Sequence, residues 1–162
     1  MFRSAIALTL CLFLAPPASA VTVARLTFDQ LVNQSSTVVL ARVVDVRGDF
    51  TDDGRGISSG VTVEVLRGIK GSASGTLTFT TPGGQAGRYV NVIPGAPTFA
   101  RGDVAVFFLS SRGARLPVTT GFTQGIFRVR VDAANQMIVV HKAPVPLRVF
   151  EANIRAVADA AK

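Results

Sequence analysis

Apolar and polar positions along this chain write out many short strands with a helix near each end. Thr27-Phe28-Asp29-Gln30 has the form of a capping box, with Thr27 as N-cap and Gln30 reaching back. Phe28, Leu31 and Val32 then recur at helical spacing, which predicts a short helix over residues 28–35, ended by Ser35-Ser36. Thr37 to Arg47 is rich in β-branched residues, apolar on both faces at first and alternating later, as a strand running from core to rim would be. Turn formers fill 48–60, and Asp53-Gly54 is a hairpin signal. Gly60 to Leu66 alternates as a second strand, with Val61, Val63 and Val65 on one face. Two glycines in Arg67-Gly68-Ile69-Lys70-Gly71 break that pattern before a third strand at Gly75–Thr80.

Pro82 to Arg88 reads as a mobile glycine-rich loop, followed by a short strand at Tyr89–Ile93 that Pro94-Gly95 ends. Val104 to Leu109 is continuously apolar and reads as a buried strand. Further strand-like segments lie at 116–120, 125–131 and 136–141, the last two joined by a turn at Asp132–Asn135. Pro144 and Pro146 stop the sheet pattern. Leu147, Phe150, Ile154, Val157 and Ala161 then define one face of a C-terminal amphipathic helix. No βαβ alternation occurs, which argues against a parallel sheet. The pattern predicts a mainly β protein: a small antiparallel OB-like barrel with a short N-terminal helix and a C-terminal amphipathic helix, or, as the alternative, a β-sandwich.

The first twenty residues change the picture by assigning a compartment. Arg3 is followed by an apolar run from Ala5 to Ala15, then Pro16-Pro17, then the small residues Ala18-Ser19-Ala20. That order of parts is a secretory signal peptide, and a run of about 11 residues is too short for the roughly 20 that span a bilayer. The expectation is a signal at 1–20, cleavage before Val21, and one β-barrel domain over 21–162, located in a bacterial periplasm or outside the cell. No membrane span is expected after cleavage. The one cysteine, Cys11, lies inside the apolar run, ahead of the place a lipidated cysteine would occupy, so the exported domain has no disulfide and relies on packing.

With Arg3 removed, 16 Lys plus Arg face 10 Asp plus Glu, a net charge of +6, and 13 of those cations are Arg. They are dispersed and nowhere form a run of three. Such a surface attracts anionic polymers without marking a nucleic-acid site. Stacking platforms for single strands set aromatics beside the charges. This chain has no Trp and a single Tyr, and Phe79, Phe107 and Phe108 read as core, so nucleic acid is not an expected partner.

Candidate chemistry is sparse. His141 is the one histidine, no Gly-x-Ser-x-Gly elbow accompanies it, and it reads as a strand-end surface residue. A zinc site would need nitrogen or sulfur ligands the chain lacks, and Asp49, Asp52 and Asp53 do not match a calcium loop because no Glu closes it. Neither a metal nor a cofactor is expected. Gly83, Gly84 and Gly87 could present backbone amides to an anion beside Arg88. The loop leads into Tyr89-Val90-Asn91-Val92 rather than a helix, so a flexible hairpin or a barrel-rim loop, offering a contact surface, fits better. Arg128 and Arg130 alternate with Phe127, Val129 and Val131, giving one cationic strand face. That face is either a basic groove or a cross-strand partner for a carboxylate such as Glu64. The candidate binding residues are therefore Gly83, Gly84, Arg88, Tyr89, Arg128 and Arg130.

Several segments carry a resemblance. Leu31-Val32-x-x-Ser35-x-x-Val38-Val39-x-Ala41-x-Val43 resembles an opening common among exported bacterial proteins of uncharacterised function. So do Val65-Leu66-Arg67-Gly68-Ile69-Lys70-Gly71, Pro82-Gly83-Gly84, Gly95-x-Pro97-x-Phe99-x-x-Gly102-Asp103-x-x-x-Phe107-Phe108-Leu109 and Gln124-Gly125-x-Phe127. The set covers most of residues 27–131. The strand, Lys-Gly turn, strand and Phe-x-x-Gly-Asp pattern is also similar to the OB-fold barrels of tissue inhibitors of metalloproteinases and netrin-like domains. Those inhibitors act through an N-terminal cysteine, whereas here the expected terminus is Val21 and no cysteine follows, so the resemblance implies a barrel and not the inhibitory residues. The function expected from all this is an exported, non-enzymatic binding module for a protein or an anionic envelope polymer. The alternatives are an inhibitor or chaperone of an exported metalloprotease and, last, a hydrolase built on His141.

Overall fold

The structure, a computed structural model, describes residues 24–111, 113–140 and 143–161. The expected signal at 1–20, Cys11, the terminus at Val21 and His141 lie outside the described residues. The chain folds in the order α1 (Phe28–Gln34), β1 (Thr37–Phe50), β2 (Ile57–Lys70), β3 (Thr76–Pro82), β4 (Gly84–Ala86), β5 (Tyr89–Asn91), β6 (Val104–Ser110) and β7 (Val118–Thr119). A 3₁₀ turn (Phe122–Gly125) follows, then β8 (Ile126–Val131), β9 (Met137–Val140), β10 (Pro144–Pro146) and α2 (Leu147–Ala160).

Strands β1, β2, β3, β7 and β6 close into a ring, because β1 pairs on one side with β2 and on the other with β6. This is a closed five-stranded barrel, mainly β, and not a sandwich. Numbered along the chain, the ring runs first, second, third, fifth, fourth, an OB-like Greek-key order. One junction of the ring departs from the otherwise antiparallel pairing. The barrel is not antiparallel throughout: β3 and β7 meet in parallel at Thr80 and Val118. Strands in an odd-membered closed ring cannot alternate direction all the way round, so one neighbouring pair has to be parallel.

Closing so small a ring demands strong coiling, and β1 and β2 supply it through irregularities in their pairing. Register shifts fall between Val38 and Val39, between Leu40 and Ala41, and between Val43 and Asp45. The glycine-containing segment 67–70, expected to break the second strand, instead continues it: Val39 pairs with Gly68 and Val38 with Lys70. The loop expected at 48–60 is shorter for a related reason. Phe50 and Ile57 still pair, and only residues 51–56 turn, with Gly54 at φ 67°.

Two apolar layers explain why β1 and β6 carry side chains of one kind on both faces. Val39, Ala41, Val43, Val61, Val63, Phe79, Ala105, Phe107 and Leu109 fill the barrel. Val38, Leu40, Val106 and Phe108 point the other way, into a second layer with Leu31, Val32, Phe127, Val139, Leu147, Phe150 and Ile154. The helices and the β8–β9–β10 extension of the sheet thus cover one outer wall of the barrel. Phe28, Phe108, Phe127 and Phe150 interlock there, with Phe127 and Phe150 centroids 4.8 Å apart. The capping box forms as expected: Gln30 N donates to Thr27 Oγ1 at 3.2 Å and Thr27 N to Gln30 Oε1 at 2.9 Å.

Polar ties fix both helices to the barrel. Glu151, 3 % exposed, accepts two bonds from Arg67 Nη1 at 2.8 and 3.0 Å. Lys70 Nζ donates to the Val32 carbonyl at 2.7 Å in the last turns of α1, where a cation also suits the helix dipole. Gln124 accepts from Leu26 N and donates to the Ala24 carbonyl, holding the chain ahead of α1. Pro144 and Pro146, expected to end the sheet, form its outermost strand and pair with β9. An edge position tolerates them because a proline there has no donor to lose to a second neighbour.

Candidate functional site

Of the two readings of the glycine-rich segment from 82, flexible hairpin or rim loop, the structure shows a hairpin. Gly84–Ala86 and Tyr89–Asn91 pair with Gln85 opposite Val90. The chain leaves β3 and crosses over the end of β1 in a way that only glycines allow. Gly84 has φ 126°, and a β-carbon there would collide with Ser59 Oγ, which itself donates to the Gly83 carbonyl at 2.7 Å. Gly48 on β1 is equally constrained, since a β-carbon would run into the Gln85 carbonyl.

Beneath this hairpin lies a cleft of about 340 Å³. The ends of β1, β2 and β3 contribute Val46, Gly48, Ser59, Thr81 and Pro82; the hairpin contributes Gly83, Gly84, Gln85, Val90 and Asn91. Val92, Ile93, Ala96, Pro97, Thr98 and Phe99 form the opposite wall. None of these residues is ionisable. Phe99 joins the cleft to the barrel interior, with ring centroids 5.6 Å from Phe79 and 6.0 Å from Phe107. The Thr81 side chain is buried at 4 % exposure, and its hydroxyl has no hydrogen-bond partner among the described residues.

The rim is exposed and apolar. Phe50, Tyr89, Val90 and Val92 all face solvent, Val92 at 80 %. Tyr89 packs edge-on against Phe50 at 5.8 Å, and Arg88 both donates to Tyr89 Oη at 2.9 Å and lies 5.1 Å from its ring centroid. The adjacent 51–56 turn is held by Asp53, whose carboxylate accepts from Thr51 Oγ1 and Arg55 N; those bonds hold its carboxyl below the ordinary range.

The structure separates the six candidate residues. Gly83 and Gly84 line the cleft, and Arg88 and Tyr89 form the hairpin's outer end. Arg128 serves the far wall from behind, donating to Asp103 Oδ2 and to the Thr98 carbonyl, each at 2.7 Å. Glu64, the carboxylate considered as its partner, lies instead 3.6 Å from Arg42. Arg130 is exposed in β8, opposite Ile138 on β9. Of the two arginines, Arg128 is thus committed to Asp103 and the Thr98 carbonyl. Sequence reasoning missed Ser59, Thr81, Phe99 and Val92. The one available signal was the Phe99-x-x-Gly102-Asp103 motif, which here sets the wall.

Among the described residues no group of three His, Cys, Asp or Glu could hold a metal, and no helix is long and apolar enough to cross a membrane. No protein-family model, no curated protein and no solved structure matches the chain at a significant level.

Proposed function

We propose that this chain is an exported, non-enzymatic binding module that docks a protein partner through the β4–β5 hairpin. It would work in the periplasm or outside a bacterial cell, as the sequence of residues 1–20 suggests. The observation that carries the reading is the cluster Phe50, Tyr89, Val90 and Val92, exposed together at one end of the barrel with Arg88 against the Tyr ring. Aromatic, apolar and arginine side chains with few other charges are the composition of an interface centre. An anionic polymer is the less favoured partner, because the cations are dispersed and Arg128 is committed to Asp103. The test places a photo-crosslinking residue at Val92 and mixes the exported form with envelope extract. The expected result is a discrete adduct that saturates, is competed by unlabelled protein and is lost in a Tyr89→Ser/Val90→Ser variant. Adducts indifferent to competitor and to those substitutions would overturn the reading.

A further inference from the structure

We propose that the cleft between the β4–β5 hairpin and residues 92–99 binds a small, neutral, mostly apolar molecule bearing one hydrogen-bonding oxygen, which the Thr81 hydroxyl anchors. This goes beyond the docking of a protein on the hairpin and does not depend on it, although Val90 and Val92 belong to both surfaces.

Three observations carry it. First, the cleft has the size of a small ligand site, about 340 Å³, against roughly 300–1,000 Å³ for such sites. Second, its lining selects for a neutral guest. Val46, Val90, Val92, Ile93, Pro97 and Phe99 provide the apolar walls, and no lining residue is charged. A charged guest would lose its hydration and gain no counter-ion. Third, the Thr81 hydroxyl is buried and unpartnered among the described residues. A buried hydroxyl normally finds a partner, so an orphan on a residue of the cleft wall marks where a guest's carbonyl or hydroxyl would sit, reached by a turn of the Thr81 side chain about its Cα–Cβ bond. Ser59 does not compete for that role, since its hydroxyl is already bonded to the Gly83 carbonyl.

The site is also pre-organised. Phe99 is wedged against Phe79 and Phe107, and Arg128 holds Thr98 from behind. Gly84 lies so close to Ser59 that the hairpin can shift little toward the barrel. Walls fixed before binding spare the guest the cost of ordering them.

The probe is cyclohexanone, an apolar ring with a single carbonyl, titrated into the isotope-labelled protein and followed by amide NMR shifts. Saturable shifts at Thr81, Val92 and Phe99 are expected. Thr81→Val, which keeps the shape and removes the hydroxyl, should weaken binding about three- to tenfold, the worth of one hydrogen bond. Xenon, which needs no polar partner, should occupy the same cleft equally well in both proteins. Ala96→Phe should fill the cleft and abolish the saturable shifts, while Tyr89→Ser on the outer face should leave them intact. Unsaturable shifts spread over the exposed apolar residues would overturn the proposal. So would full affinity in Thr81→Val, or loss of binding in Tyr89→Ser. The Thr81→Val result decides the matter even if Ala96→Phe fails to fold.

Discussion

Arg128 on β8 reaches across to Asp103, Nη1 to Oδ2 at 2.7 Å, and with Nη2 also grips the Thr98 carbonyl. Asp103 in turn accepts from Ala100 N at 3.0 Å. Burial works against this carboxylate, but the Ala100 amide and the Arg128 guanidinium outweigh it and hold its carboxyl below the ordinary range. A group lowered in the folded state stabilises it above the unfolded value, about 3.9, and loses that contribution as pH falls through the folded value. Wild type should therefore exceed Asp103→Asn in urea-unfolding stability by about 1 kcal/mol at neutral pH, a small figure because the pair is partly exposed. The gap should close below about pH 4. A gap that persists at pH 2.5 would show that charge is not what the staple depends on.

Glu151 should respond differently to loss of size and loss of charge. It is buried, while its partner Arg67 is about half exposed. Glu151→Ala leaves an unfilled space and a guanidinium with no carboxylate, and should cost about 2 kcal/mol, below the range for fully buried pairs because Arg67 keeps some water. Glu151→Gln, which fills the space, should cost about half as much. Chemical denaturation of both variants checks the order.

Gly84 and Ser59 should show strong coupling. Gly84→Ala introduces a β-carbon into Ser59 Oγ at a backbone angle suited to glycine, and should cost about 2–3 kcal/mol. Adding Ser59→Gly should recover part of that loss, because it removes the collision and leaves only the backbone strain. A double-mutant cycle measures the difference, and simple additivity of the two losses would contradict the close approach.

The two apolar layers should fail in different ways. Phe107→Ala empties the barrel and should cost about 3–5 kcal/mol, exposing the whole sheet to amide exchange. Phe150→Ala cuts the ring cluster under α2. It should raise exchange first in α2, leaving β1, β2 and β6 protected longer. Uniform loss of protection in Phe150→Ala would show that helix and barrel unfold as one unit.

Local signals carried most of the fold. The Thr27–Gln30 box, the turn at Asp132–Asn135 and the two-faced apolar runs of β1 and β6 were readable because each depends on neighbours in sequence. The extent of β2 was not, since Gly68 lies in a strand only because β1 coils against it with shifted register. At 84–91 a flexible hairpin or rim loop was readable, but not the close approach that shapes it. Gly84, which locally spells a loop, is required by the approach to Ser59, 25 positions back, and Gly48 by the approach of Gln85, 37 positions on. Of the site, the glycine loop and Tyr89 were legible as exposed residues. Thr81 and Phe99 were not, because what singles them out is an absent partner and a place at the barrel's mouth.

Beyond the barrel, β10 is the outermost strand, and two of its three residues are prolines. A chain arriving alongside would find, on that strand, at most one amide donor, because two of the three residues have none. Stacking of copies edge to edge into fibrils therefore meets a blunted border at the point where a β-rich chain is most open to it.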